Sequence, residues 1–166
     1  MAIHTIQRTQ IVRSPLRDCW LFFSNPQNLA RLTPPALDFQ VLSDVPEEIY
    51  PGLMIQYRVR PLFGLPLIWL TEISHVEPER SFVDEQRLGP YRLWHHEHHF
   101  RRLDEYHTEM RDRVHYILPF APFSEFMHPW LVKPKLEQIF DYRERETQQI
   151  FNASPKGAIA SASVAR

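Results

Sequence analysis

Cysteine occurs once, as Cys19, and glycine four times in the 166 residues of this chain. A single thiol cannot close an intrachain disulfide, and no cysteine-based zinc cluster can be built from it. The glycines fall at turn positions or in the tail, so no glycine-rich loop is present to cradle a phosphate. No apolar run is long enough to span a bilayer. The amino terminus lacks a basic stretch followed by an apolar run and a small-residue cleavage site, so the sequence predicts a cytoplasmic protein without a signal peptide. The formal net charge is −1, from 19 basic and 20 acidic residues, which gives no overall pull toward nucleic acid or an anionic membrane.

What is abundant is apolar and aromatic surface. Hydrophobic residues make up 43% and aromatics 13% of the chain, enough for one domain with a substantial core. Ile3–Val12 reads as a first strand. Ser14-Pro15 offers an N-cap and a first helical position, and Leu16, Cys19, Trp20 and Phe23 then recur at helical spacing up to Phe23. Asn25-Pro26 starts a second short helix that Pro34-Pro35 ends. Six strand candidates follow: Asp38–Ser43, Leu53–Arg60, Leu65–Val76, Ser81–Leu88, Tyr91–Arg102 and His107–Leu118. The short turns between them favour an antiparallel meander. From Pro122 to Phe151 the period is helical, with a kink or a broken start expected at Pro129 and Pro134. Residues 1–151 therefore read as a single domain and 152–166 as a disordered tail. An amphipathic helix of this length must bury one face, and a curved antiparallel sheet is the surface available. The expectation is an α+β helix-grip fold, with a cavity between sheet and helix.

The run Gly89–Phe100 contains the chemistry. Strand alternation places Trp94, His96, His98 and Phe100 on one face, and His95, Glu97, His99 and Arg101 on the other. With Asp104-Glu105-Tyr106 as a loop tip, partners sum to 210, which sets His98 against Asp112, His96 against Val114 and Trp94 against Tyr116. A three-residue Gly89-Pro90-Tyr91 loop sets Asp84 against His96, Phe82 against His98, Gln86 against Trp94 and Leu88 against Arg92. Two registers thus bring carboxylates to the two inward histidines. Such pairs serve either a packed polar network that specifies the core or the polar lining of a ligand cavity. In the second reading Asp84, Gln86, His96, His98, Asp112 and Tyr116 anchor a polar group, while Tyr57, Trp69, Trp94, Phe100, Leu136 and Phe140 form apolar walls. A histidine beside a carboxylate can also move protons near neutrality. A third reading is a metal site, with His96 and His98 ligating zinc or iron and Asp84 or Asp112 completing the set; a lone His-x-His fixes no further ligand, so no metal or cofactor is expected from the sequence. Cys19, on an apolar helix face, reads as core. Arg101, Glu109, Arg111 and Arg113 read as a solvated face. The apolar segments Pro61–Leu67 and Leu118–Phe123 read as loops folded onto the core or framing one entrance, with the tip around Phe63 open to a membrane, carrier or partner.

Several stretches carry a resemblance: Ser14-Pro15 to Trp20, Asn28-Leu29 to Pro34-Pro35, Phe82 to Gln86, Gly89-Pro90-Tyr91 through His98 and Phe100, and Met110-Arg111-Asp112 to Tyr116 with Pro119. Over residues 3–151 the chain resembles the SRPBCC superfamily, also called START or Bet v 1-like, and within it the bacterial ligand-binding, polyketide cyclase/dehydrase-like group. The resemblance implies a helix-grip fold and a small hydrophobic or amphipathic molecule (lipid, aromatic or polyketide-like) as the partner. It also keeps open a cyclase or dehydratase using His96 or His98, and a non-catalytic interaction module. The mononuclear iron motif of the oxygenases in that superfamily is not evident here.

Overall fold

Alternating apolar and polar side chains close into one seven-stranded antiparallel sheet in a computed structural model that describes residues 2–61 and 64–153. The strands are β1 His4–Val12, β2 Gln40–Val41, β3 Met54–Val59, β4 Leu67–Glu77, β5 Ser81–Leu88, β6 Leu93–Arg102 and β7 Thr108–Ile117. Their order across the sheet is β1-β7-β6-β5-β4-β3-β2, so the chain runs as a meander and its last strand returns beside its first. Register shifts between β4 and β5, at Leu70/Thr71 and Ile73/His75, bend the sheet as bulges do. That curvature lets its concave face wrap a helix.

Helix α1 spans Leu16–Phe23, and the segment after it forms two 3-10 turns, Pro26–Leu32 and Pro35–Leu37. Asn25 caps the first of these by accepting from the Gln27 amide at 2.9 Å. Ser14 does not cap α1 as expected. Pro15 takes the N-cap position, and the Ser14 hydroxyl donates instead to the Pro15 carbonyl at 3.2 Å. The strand expected over Asp38–Ser43 shortens to two residues, because Asp38 closes a 3-10 turn in the left-handed region with φ 43°. At the carboxyl end, α2 Phe123–Met127, a π-turn His128–Val132 and α3 Lys133–Ala153 follow one another. The wide turn sits where Pro129 removes a backbone donor, which is the interruption the prolines require. Helix α3 extends through Asn152 and Ala153, which the sequence reading assigned to the tail; the remainder of that tail, 154–166, lies outside the described residues.

Leu136, Phe140, Arg143, Thr147 and Phe151 are the buried residues of α3, spaced four, three, four and four apart on one face. Around Phe151 gather Trp20, Phe22, Phe23, Phe82, Phe100 and Met110, and around Phe140 gather Trp94, Val114, Tyr116 and Leu136. Among the described residues no helix is long and apolar enough to cross a membrane.

The β6–β7 register follows the expected sum throughout, from Leu93↔Ile117 to Arg102↔Thr108. The β5–β6 register follows expectation from Ser81↔His99 to Glu85↔His95 and then ends. The expected pairs Gln86–Trp94 and Leu88–Arg92 do not form. Instead the Gln86 amide clasps the turn, donating to the Tyr91 carbonyl at 2.6 Å and accepting from the Tyr91 amide at 3.2 Å. Gly89 lies so close to that amide that a Cβ there would overlap it. Gly89→Ala is therefore expected to break the clasp and cost about 1 kcal/mol. In a Gln86→Ala background the same change should cost much less. Urea denaturation of the two single variants and the double variant checks this, and simple additivity would show that the clasp is not what Gly89 protects.

Candidate functional site

The inward face of β6 holds Trp94, His96, His98 and Phe100 at 9, 7, 3 and 5% exposure. The outward face carries a ladder of ion pairs instead. Glu85 meets His95 at 2.8 Å, Glu97 meets His99 at 2.8 Å and Arg113 at 2.5 Å, and Arg101 meets Glu109 at 2.9 Å. Burial works against the Glu97 charge, but its bonds to Arg113 and His99 prevail and bring its pKa down to about 2.

A cavity of about 210 Å³ lies between the concave face, α3 and the 3-10 segments. Tyr57, Trp69, Asp84, Trp94, His96, His98, Leu136 and Phe140 line it, so eight of the sequence-predicted site residues converge there. Four do not reach it. Gln86 is committed to the turn, and Phe100 packs edge-on against Trp20 with ring centroids 5.5 Å apart. Asp112 lies behind the histidines, and Tyr116 bonds His128 Nε2 through its hydroxyl at 2.7 Å. His128 in turn stacks on His4 at 3.8 Å, and His4 Nε2 meets Glu125 at 2.7 Å. Tyr116 thus belongs to a second polar group, at the junction of β1, β7 and α2. Sequence reasoning did not select Tyr91 or Arg143, which also line the cavity. Arg143 was visible as the one charged residue on the apolar face of α3. Of the two apolar segments, Leu62 and Phe63 lie outside the described residues, while Leu118 is buried and Phe120 and Phe123 are exposed.

The polar wall of the cavity is a closed cluster. His98 Nε2 lies 2.8 Å from Asp84 Oδ2, and His96 Nδ1 lies 3.5 Å from the same oxygen. Asp112 Oδ1 lies 3.2 Å from His96 Nε2 and 2.7 Å from His98 Nδ1. The first of these is a directed hydrogen bond; the second runs off the ring's N–H direction and acts as an ionic contact. Arg143 Nε approaches Asp112 Oδ2 at 3.4 Å, which ties α3 to β7. Each histidine therefore touches both carboxylates. The short contacts include the diagonal ones, His98 to Asp84 and His96 to Asp112, as well as the facing pair His98–Asp112. Strand twist brings diagonal neighbours within reach of long side chains.

Burial and the neighbouring His98 charge lower the pKa of His96. Burial also opposes a charge on His98, but its contacts with Asp112 and Asp84 outweigh that and raise its pKa. For Asp84, burial is overcome by His96, His98 and Arg143, and its pKa falls. For Asp112, burial is overcome by Arg143 and both histidines, which hold it well below the carboxylate range. The shifts favour a charge on His98 over one on His96, which sets one imidazole and the Arg143 guanidinium against the two carboxylates.

A raised folded-state pKa on His98 fixes the sign of one pH effect. Its stabilisation is complete below the ordinary imidazole value of 6.5 and is lost as pH rises through the folded value. Thermal melts above pH 6.5 should show stability falling with pH in the wild type, with a much flatter profile in His98→Asn. Parallel profiles would show that His98 is not the titrating group.

No protein-family model matches the chain, and no curated protein matches it in sequence. Solved structures match in shape. The aromatase/cyclase Zhui from Streptomyces sp. R1128 superposes with a TM-score of 0.67 at 14% identity, covering 94% of this chain and 99% of that one. A START superfamily protein from Mycobacterium smegmatis gives 0.64 at 11% identity over 89% and 99%. Norcoclaurine synthase from Thalictrum flavum gives 0.63 at 15% identity over 92% and 98%. By its strand order, its long closing helix and these likenesses, the chain has the helix-grip fold of the START and Bet v 1-like (SRPBCC) proteins.

Proposed function

We propose that the protein binds a small hydrophobic or amphipathic molecule inside the cavity. The observation that carries this is the distribution of polarity over the cavity wall. Apolar and aromatic side chains make up most of the lining, and His96, His98, Asp84 and Arg143 are grouped at one place on it. A chamber whose ionisable groups are gathered at one place orients a ligand that has one polar end. Trp94 and Trp69 stand edge to face at 5.4 Å, both on the lining. Their emission is therefore the natural readout. Titration with anilinonaphthalene sulfonate, an aromatic body with one charged group, is expected to quench tryptophan emission saturably, with one probe per chain. A linear, non-saturating response would overturn the proposal.

A second reading, proton transfer in a cyclase or dehydratase, has its own support. His96 and His98 are adjacent, face the same cavity, and are pushed toward opposite protonation states. Paired groups driven apart in this way suit acid and base roles. Two of the structural neighbours are an aromatase/cyclase and norcoclaurine synthase, which is in keeping with that chemistry. Loss of turnover with retained probe binding in His96→Ala would distinguish this reading from carriage alone.

A further inference from the structure

We infer that Asp84, His96 and His98 form a binding site for a divalent first-row transition metal of the zinc or iron(II) class. One donor atom from each of the three lies within 4.8 Å of the others, and among the described residues this is the group that meets that condition. Two imidazoles and one carboxylate make a nitrogen–oxygen donor set suited to such ions, and not to soft thiophilic or hard all-oxygen-seeking ones. His96 Nδ1 stands 3.5 Å from Asp84 Oδ2, close to the spacing of neighbouring ligands on a tetrahedral ion, and His98 Nε2, hydrogen-bonded to the same oxygen at 2.8 Å, would open by about half an ångström to share the ion.

Asp112 decides the case over a mere packed network. Metal-binding histidines commonly give their second ring nitrogen to a carboxylate, which fixes the tautomer and the ring orientation. Here one carboxylate serves both rings, meeting His96 Nε2 at 3.2 Å and His98 Nδ1 at 2.7 Å. The hydrogen bond orients His96 and the ionic contact sets the far edge of His98 against the same carboxylate, which leaves His96 Nδ1 and His98 Nε2 facing Asp84. Arg143, at 3.4 Å from the other oxygen of Asp112, balances its charge and keeps it in the orienting role. Asp112 is away from the cavity, whereas all three proposed ligands line it. An ion held there has protein on one side and an open position facing the chamber. This site stands independently of the ligand proposed above, because three side chains can hold an ion whether or not an organic molecule enters.

The test uses the full chain, stripped with a chelator, and zinc alone. Calorimetric titration is expected to show one zinc per chain with a micromolar or tighter dissociation constant. Asp84→Asn and His98→Ala should each weaken binding by about a hundredfold, and the positioning variant Asp112→Asn by about 10–100-fold. His95→Ala, on the outward face of the same strand, should leave it unchanged. Cobalt(II) bound to the wild type provides a readout that needs no variant. A ligand-field absorption band of a nitrogen–oxygen site, displaced by one equivalent of zinc, is expected. Zinc affinity that survives Asp84→Asn and His98→Ala but falls in His95→Ala would overturn the proposal, as would a cobalt spectrum identical to that of the free aqua ion. Probe quenching with and without zinc reports on the cavity reading separately, so either claim can fail alone.

Discussion

Asp112→Ala should lower the unfolding free energy by about 3–5 kcal/mol, the range found when one partner of a buried ion pair is removed. Asp112 is 3% exposed and Arg143 8%, so the arginine left behind has little water to turn to. Both histidines lose a carboxylate neighbour in the same step. The comparison that isolates the cause is the double variant Asp112→Ala/Arg143→Met, in which the stranded charge is gone. It should be more stable than Asp112→Ala alone, with a coupling of opposite sign to the single-variant loss. Urea denaturation with unchanged slope measures all three. A loss below about 1 kcal/mol in Asp112→Ala would place this residue among the ordinary hydrogen-bonding groups and not at the centre of the core.

The second large effect concerns the cavity. Thr71 is 4% exposed, lies on β4 opposite Ile55, and lines the chamber. Thr71→Phe places a ring into a space of about 210 Å³. It should weaken binding of anilinonaphthalene sulfonate by at least about tenfold, or 1.4 kcal/mol. The ring is inserted beside a void, so the usual cost of overpacking, about 1–3 kcal/mol, is partly relieved. Circular dichroism and a melting curve close to wild type would confirm that the chamber and not the fold was changed. Unaltered probe affinity in a folded variant would mean that the probe sits elsewhere.

The strand parity of β6 and the 210 sum of its hairpin could be read directly from the chain, because alternation and a short loop leave little freedom. The facing pair Asp112/His98 follows from that sum, and Asp84/His96 from the neighbouring hairpin closed by Gly89-Pro90-Tyr91. What the arithmetic lacks is twist. The observed bonds run diagonally as well as straight across, so a list of facing pairs becomes a closed square of four side chains only in three dimensions. Gln86 was misplaced for a related reason: parity assumes the ladder continues, and here it stops at Glu85/His95 so that an amide can hold the turn. Phe100 keeps its predicted face yet lies beyond the chamber, among Trp20, Phe23 and Phe82. Arg143 was legible as a position but not as a partner. Helical spacing shows that it faces the core, but the carboxylate that receives it, Asp112, is on an element that spacing along α3 cannot identify.

The link between Arg143 and Asp112 also sets where the molecule can breathe. Raising the carboxyl-terminal half of α3 from the sheet would separate that pair and expose Thr147 and Phe151 as well. The amino-terminal half is held by a more exposed ion pair, Asp141 with Arg8 of β1 at 3.2 Å, and by Leu136 and Phe140 packed on the sheet. It begins in a π-turn and carries Leu136 and Ile139 on the chamber wall. Amide hydrogen exchange along this single helix should therefore be graded, slow from Arg143 onward and fast before Leu136. Whatever exchanges with the interior then does so at a rate set by one end of one helix.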